Sequence, residues 1–173
     1  LLPVASIVFT GVAPNCTATM TPVSDGSGTT NLVFSLTDGS NTVTQSFTAT
    51  YNAVNDAPTM AAISNQTASE DNSIAVNFTI NDIDSALTCA GSVSATSSNV
   101  ALLPVANIVF TGTAPNCTAT MTPVADANGV STVGFTVTDG GGLTAAQSFT
   151  ATYSAVNDAP VLSAIGNQTA SED

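Results

Sequence analysis

Along residues 74–80 apolar and polar side chains alternate without a break: Ile74, Val76, Phe78 and Ile80 are separated by Ala75, Asn77 and Thr79. A period of two sends one set to one face of an extended chain, so this stretch predicts a half-buried β-strand. Leu32, Phe34 and Leu36 alternate in the same way, as do Val133, Phe135 and Val137, and Phe47, Ala49 and Tyr51. Turn-forming clusters interrupt the runs at residues 24–30, 38–41, 125–130 and 139–142. Short strands spaced by turns, without helical periodicity, predict an antiparallel β-sandwich of about 100 residues. Residues 6–10 are less regular. Ile7, Val8 and Phe9 stand in a row, as do Ile108, Val109 and Phe110, which predicts a strand buried on both faces or one carrying a bulge.

The chain repeats itself. Leu1–Ala5 returns at Leu102–Ala106, Ala13–Val23 at Ala114–Val124, and Thr37–Gly39 at Thr138–Gly140, all at one spacing. Gln45–Tyr51 then returns at Gln147–Tyr153, one residue later than that spacing gives, so a residue is inserted in the glycine-rich turn between. Val54–Pro58, Val-Asn-Asp-Ala-Pro, recurs as Val156–Pro160. Each copy follows a strand and ends in proline, which favours an extended linker. The boundaries follow: 1–58 is the C-terminal part of one repeat, 59–160 a complete repeat, and 161–173 the first strand of a third. The sequence reads as a window on a longer array. Phe9/Phe110, Phe34/Phe135 and Phe47/Phe149 are repeat equivalents, which argues for a shared core over a binding patch.

The cysteines follow the same logic. Cys16 and Cys117 are equivalents, and the equivalent of Cys89 in the first repeat would precede Leu1. We therefore expect a Cys89–Cys117 disulfide and an oxidising compartment, with Cys16 lacking its partner. The competing reading is two buried free thiols; no Cys-x-x-Cys spacing points to zinc.

Composition excludes several functions. The chain has 12 acidic residues, no Lys, Arg or His, and a formal net charge of −12. With no cation to neutralise phosphate, nucleic acid is not a partner. No apolar run approaches the ~18 residues of a membrane span. Without His or Lys, general acid–base catalysis would fall to carboxylates alone, and we expect no enzyme.

Every acid lies at or near a turn, and none can form an internal ion pair. The complete repeat reads Ser69-Glu-Asp, then Asn81-Asp-Ile-Asp, then Thr138-Asp-Gly-Gly, then Val156-Asn-Asp-Ala-Pro. In order and approximate spacing these motifs resemble the signatures of cadherin and cadherin-like bacterial tandem repeats. The resemblance implies an all-β fold of tandem Greek-key β-sandwich repeats, cadherin-like or Ig-like, joined by short linkers that Ca²⁺ stiffens. By that resemblance Asn55, Asp56, Asp82, Asp84 and Asp139, with Asp25, gather at the joint between first and second repeats. Glu70, Asn157 and Asp158, with Asp126, gather at the next. Hard oxygen donors in that number suit Ca²⁺, which takes about 6–8 of them. The linkers carry Ala53 and Ala155 where the family has an Asp, implying fewer ions per joint. The competing reading is solvated turn acids, since Asp and Asn favour turns in any case.

The expected function is a structural segment of a long extracellular fibre, cell-surface tether or adhesin stalk. Its partners would be neighbouring repeats of the same chain and other cells or stalks. The alternative is a repeat that itself binds a ligand through homophilic, glycan or surface contacts.

Overall fold

In a computed structural model, which describes residues 1–172, the chain divides into two compact units. The first comprises residues 1–57 together with Ile83–Ser85, and the second the remainder.

The first unit consists of two antiparallel hairpins. Strands β1 (Ile7–Val12) and β2 (Asn15–Met20) form one, and β3 (Gly28–Thr37) and β4 (Thr42–Tyr51) the other.

The second unit is a two-sheet sandwich. Its strands are β5 (Thr59–Met60), β6 (Gln66–Ser69), β7 (Ile74–Asn81), β8 (Val93–Ser97), β9 (Ile108–Thr113), β10 (Asn116–Met121), β11 (Gly129–Thr138) and β12 (Thr144–Ser154). One sheet runs β5-β7-β10-β9 and the other β6-β12-β11-β8. The opening segment thus crosses between sheets: β5 lies antiparallel to β7, whereas β6 pairs in parallel with β12. The alternation of β5 to β8 between the two sheets makes this the Greek-key sandwich that the family resemblance implies.

Period-two patterning accounts for the core. Ile74, Val76, Phe78 and Ile80 face Val133, Phe135 and Val137 across the sandwich, and Phe149, Ala151 and Tyr153 close it from β12. Phe135 is fully buried, with its ring centroid 5.4, 4.9 and 5.2 Å from those of Phe78, Phe110 and Phe149. Tyr153 donates its phenol to the Met121 carbonyl at 3.0 Å, which satisfies a hydroxyl that burial pushes up to a pKa of about 12.

Cys89, in a single helical turn (Cys89–Ser92) between β7 and β8, is bonded to Cys117 on β10. Cys16 is free and exposed.

The irregular strand resolves differently from either expectation. Ile108 is buried and Phe110 packs against the core, but Val109 faces solvent and the β9–β10 register is unbroken. One exposed valine mimics a two-sided strand. At the β9–β10 turn Gly112 has φ +105°, and a Cβ there would lie 2.5 Å from the Asn116 carbonyl oxygen, so only glycine fits. Residues 155–172 carry no strand. The equivalent β5 and β6 draw their hydrogen bonds from β7 and β12, and residues 161–172 have no such partner among the described residues. Asp173 lies outside them.

Candidate metal centre

The acidic turns at one end of the second unit converge. Carboxylate oxygens of Asp71, Asp126 and Asp158 all lie within 4.8 Å of one another, each side chain exposed. They reach this point from three segments: the turn after β6, the turn between β10 and β11, and the chain leaving β12. Local backbone presents two of them. Asp71 has φ +65° and Asp126 φ +58°, the left-handed region that Asp tolerates better than most residues. The Asp126 backbone N–H donates to Asp71 Oδ1 at 2.9 Å, coupling the two turns.

Glu70 lies behind this group and is buried at 3% exposure. The alternation of β6 continues through it, with Ala68 and Glu70 turned inward and Ser69 and Asp71 outward. Val156 N–H donates to Glu70 Oε1 at 2.6 Å, and Asn128 Nδ2 donates to Oε2 at 3.0 Å. A carboxylate can be buried without a cation when amides satisfy both oxygens. Glu70 therefore fastens the exit of β12 to the turn that carries Asp126. Next along the chain, Asn157 donates from Nδ2 to the Asp158 carbonyl at 3.3 Å.

The electrostatics are those of like charges held together. The Asp158 carboxyl is held above its usual 3.8, first by the neighbouring Asp126 charge, then by desolvation and by Glu70 and Asp71. The geometry fits a calcium ion. Two oxygens bound at about 2.4 Å on opposite sides of one ion stand about 4.8 Å apart, and these three lie within that span. Carboxylates are the hard donors this ion takes, and carbonyls and water complete such shells.

Of the residues expected at this end, the structure brings Asp126 and Asp158 together, with Glu70 behind them and Asn157 alongside. Sequence reasoning assigned Glu70 from the Ser-Glu-Asp motif and missed Asp71 as a candidate ligand. The period-two continuation of β6 was the available signal, because it turns Glu70 in and Asp71 out.

The set expected at the other joint is distributed. In the first unit, Asp25, Asp56 and Asp84 line a cavity of about 240 Å³ with Pro22, Tyr51 and Val54. The Asp56 N–H donates to Asp84 Oδ2 at 2.8 Å. Asp25, the equivalent of Asp126, shares its φ of +58° and accepts from the Ser24 hydroxyl at 3.1 Å. Asn55 is exposed in the same linker. Asp82 and Asp139 belong to the second unit. Asp139 is buried, and its Oδ1 accepts the Gly141 and Leu143 N–H groups, each at 2.8 Å, closing the β11–β12 turn. Its equivalent Asp38 closes the β3–β4 turn through Asn41 and Ser40, and those N–H donors lower its pKa below 3.8. The Thr-Asp-Gly acids therefore have a turn-forming role of their own.

Among the described residues no helix is long and apolar enough to cross a membrane. A search of curated proteins returns no match. Among solved structures, titin M4 is similar at 14% identity, covering 59% of this chain and 100% of that one, with a TM-score of 0.42. Titin domains Z1Z2 in complex with telethonin are similar at 11% identity, covering 89% and 75%, with a TM-score of 0.46. Domains 4 and 5 of the S-layer protein SbsC are similar at 17% identity, covering 78% and 62%, with a TM-score of 0.41. The bacterial Ig domain family matches residues 55–152, a span that takes in β5 to β11 and most of β12. This match, over more than half of the chain, places it in the bacterial Ig domain family.

Proposed function

We propose that this chain is a structural repeat segment of an extracellular fibre, cell-surface tether or adhesin stalk, and that Ca²⁺ at its acidic ends stiffens the Val-Asn-Asp-Ala-Pro segments. The observation that carries the calcium reading is the gathering of Asp71, Asp126 and Asp158 within one ion's reach, with Asp158 inside the repeated linker motif. A bound Ca²⁺ would supply charge neutralisation and a cross-link between segments that otherwise repel. The chain's own contribution is orientation. Glu70 holds Val156, two residues before Asp158, and the Asp126 N–H holds Asp71. In the first unit, Asp25, Asp56 and Asp84 are the corresponding candidates, with Asn55 beside them; the cadherin-like pattern adds Asp82 and Asp139 to that set.

Membership of a bacterial Ig family and internal repetition support a structural role. The oxidised Cys89–Cys117 pair and the absence of Lys, Arg and His support an exported, non-enzymatic module. The neighbouring repeats of the same chain are its first partners.

The test is calorimetric titration of Ca²⁺ into the chelator-stripped full chain, alongside limited proteolysis with and without chelator. We expect binding in the range of extracellular modules, about 0.1–1 mM, weakened at least ~10-fold in Asp126→Asn through loss of ligand charge. We also expect cleavage at residues 155–160 to accelerate in chelator. No binding at millimolar Ca²⁺, or cleavage indifferent to chelator, rejects the metal. The structural role would then rest on the family and the repeat alone.

A further inference from the structure

Four strands of the second unit lie at sheet edges: β5 and β9 in one sheet, β6 and β8 in the other. An edge strand carries a row of N–H and C=O groups without a ladder partner, and folded proteins blunt such rows by brevity, charge, proline, a bulge or a cover. Three of the four are blunted. β5 is two residues long, β6 is four and runs directly into Glu70 and Asp71, and β9 has the helical turn Cys89–Ser92 packed beside it. β8 differs. Its sequence, Val-Ser-Ala-Thr-Ser, holds no charge and no proline, and its register with β11 runs unbroken from Val93 opposite Val137 to Ser97 opposite Val133.

The ladder decides which groups are left over. Just past the strand, Ser98 N–H donates to the Thr132 carbonyl at 3.0 Å, and bonded residues alternate with non-bonded ones along an antiparallel pair. Ser94 and Thr96 therefore bond inward to β11, and the N–H and C=O groups of Val93, Ala95 and Ser97 point to the open edge. Among the described residues β8 pairs with β11 alone. The side chains of those three residues turn into the sandwich: Val93 is buried, Ala95 packs on the core, and the Ser97 hydroxyl lies 2.9 Å from that of Ser131. Ser94, Thr96 and Ser98 are exposed on the outer face.

We infer that β8 pairs edge to edge with β8 of a second copy of this chain, antiparallel, about a two-fold axis at Ala95. That register sets Ala95 opposite the partner's Ala95 and Val93 opposite the partner's Ser97, so all three residues with free groups find partners, and the two four-stranded sheets become one continuous sheet. Charge selects this occupant. All 12 acids lie outside the strands, so a second copy brings a neutral edge to a neutral edge despite a net charge of −12 on each chain. Asp139, two residues beyond the end of the ladder at Val137, already has Oδ1 engaged by the Gly141 and Leu143 N–H groups. A basic segment would be drawn to the acidic turns instead. Five residues a side bury far less than the ~1,000 Å² of a stable interface. One contact is therefore weak, and in a fibre of such repeats, as proposed above, it gains strength by recurring along the chain. Calcium has no part in it.

The test is disulfide trapping in the full chain carrying Cys16→Ser. In the inferred register Ser94 lies opposite the partner's Thr96 as a non-bonded pair, with Cα atoms about 4.5 Å apart, within disulfide reach. In a glutathione redox buffer, an equimolar mixture of Ser94→Cys and Thr96→Cys variants should form the mixed dimer at least ~10-fold faster than either variant crosslinks to itself. A trap at these two positions reads this edge and no other. Without added cysteines, raising the protein concentration should slow amide exchange at Val93, Ala95 and Ser97 and leave Ser94 and Thr96 unchanged. Ser94→Asp with Thr96→Asp, both on the exposed face, should abolish that concentration dependence through like charges set opposite one another, with thermal unfolding unchanged. A mixture that crosslinks no faster than the single variants would overturn the inference, as would exchange at the three residues that is independent of concentration. Faster crosslinking of Ser94→Cys to itself would also overturn it, because a different register would then hold.

Discussion

Reducing the Cys89–Cys117 bond tests how much the second unit owes to its crosslink. The bond closes a loop with a sequence separation of 28. In the chain-entropy treatment, closing a loop of that length removes enough freedom from the unfolded chain to stabilise the fold by about 3.6 kcal/mol. For a unit of roughly 100 residues this corresponds to a fall in Tm of about 15–30 °C on reduction. Both cysteines are only 2% exposed, so reduction leaves two thiols in an apolar site that accommodates them, and lost packing adds little. The assay is guanidinium unfolding of oxidised and reduced protein, followed by circular dichroism of Tyr153, with Cys16 blocked to prevent exchange. The m-value should rise on reduction, because an uncrosslinked chain exposes more surface. A stability change under about 1 kcal/mol would refute the reasoning. It would mean that the unfolded chain is already compact around this loop, or that the bond strains the fold.

Three further outcomes follow from the same geometry. Phe135→Ala should cost about 3–5 kcal/mol, whereas Phe34→Ala at the equivalent, half-buried position should cost far less, checked by unfolding of each variant. Gly112→Ala should destabilise the second unit, because the residue needs a positive φ and its Cβ would meet the Asn116 carbonyl; a neutral result in thermal unfolding would contradict the assigned turn. In chelator, the Asp158 carboxyl should titrate above 3.8 by carbon NMR. Its folded pKa is raised above the unfolded value, so the stability it contributes is present at low pH and lost as pH rises through the folded pKa. Saturating Ca²⁺ should reverse the sign by drawing the titration down.

The sandwich was readable from the chain because its core strands are amphipathic with an unbroken period of two. Ile74 to Ile80 and Val133 to Val137 bury the residues the pattern selects, and the repeat gave the strands twice. The crossing of the opening segment was not readable. Ala61, Ala62 and Ile63 hold no turn signal, and the choice of β12 as partner for β6 depends on a strand some eighty residues away. The acids show the same division. Their confinement to turns was plain from composition, but which turns meet is a tertiary property: Asp71 and Asp126 are joined by a single N–H bond that spans 55 positions. Asp139 was expected as a ligand from its motif, and its carboxylate is engaged in closing its own turn. A Thr-Asp-Gly sequence looks the same whether the acid serves the backbone or an ion.

The one-sided charge of this chain gives its acidic ends their significance. A protein with lysines and arginines can place carboxylates anywhere and neutralise them locally. This one has 12 acids and no basic side chain, so each cluster must be separated by solvent, satisfied by amides, or bridged by an external cation. Asp38 and Glu70 follow the amide solution. Asp71, Asp126 and Asp158 are held together by backbone geometry that does not neutralise them, and the raised Asp158 pKa records the cost. The same backbone ties Val156 to Glu70, so the linker motif begins at a fixed point and Asp158 lies two residues beyond it. A cation bridging the three aspartates would act on that short lever, fixing Asp158 as well as Val156 and leaving few free torsions between the last strand and the proline. Stiffness would then depend on the ion and not on burial, since the linker side chains bury almost nothing.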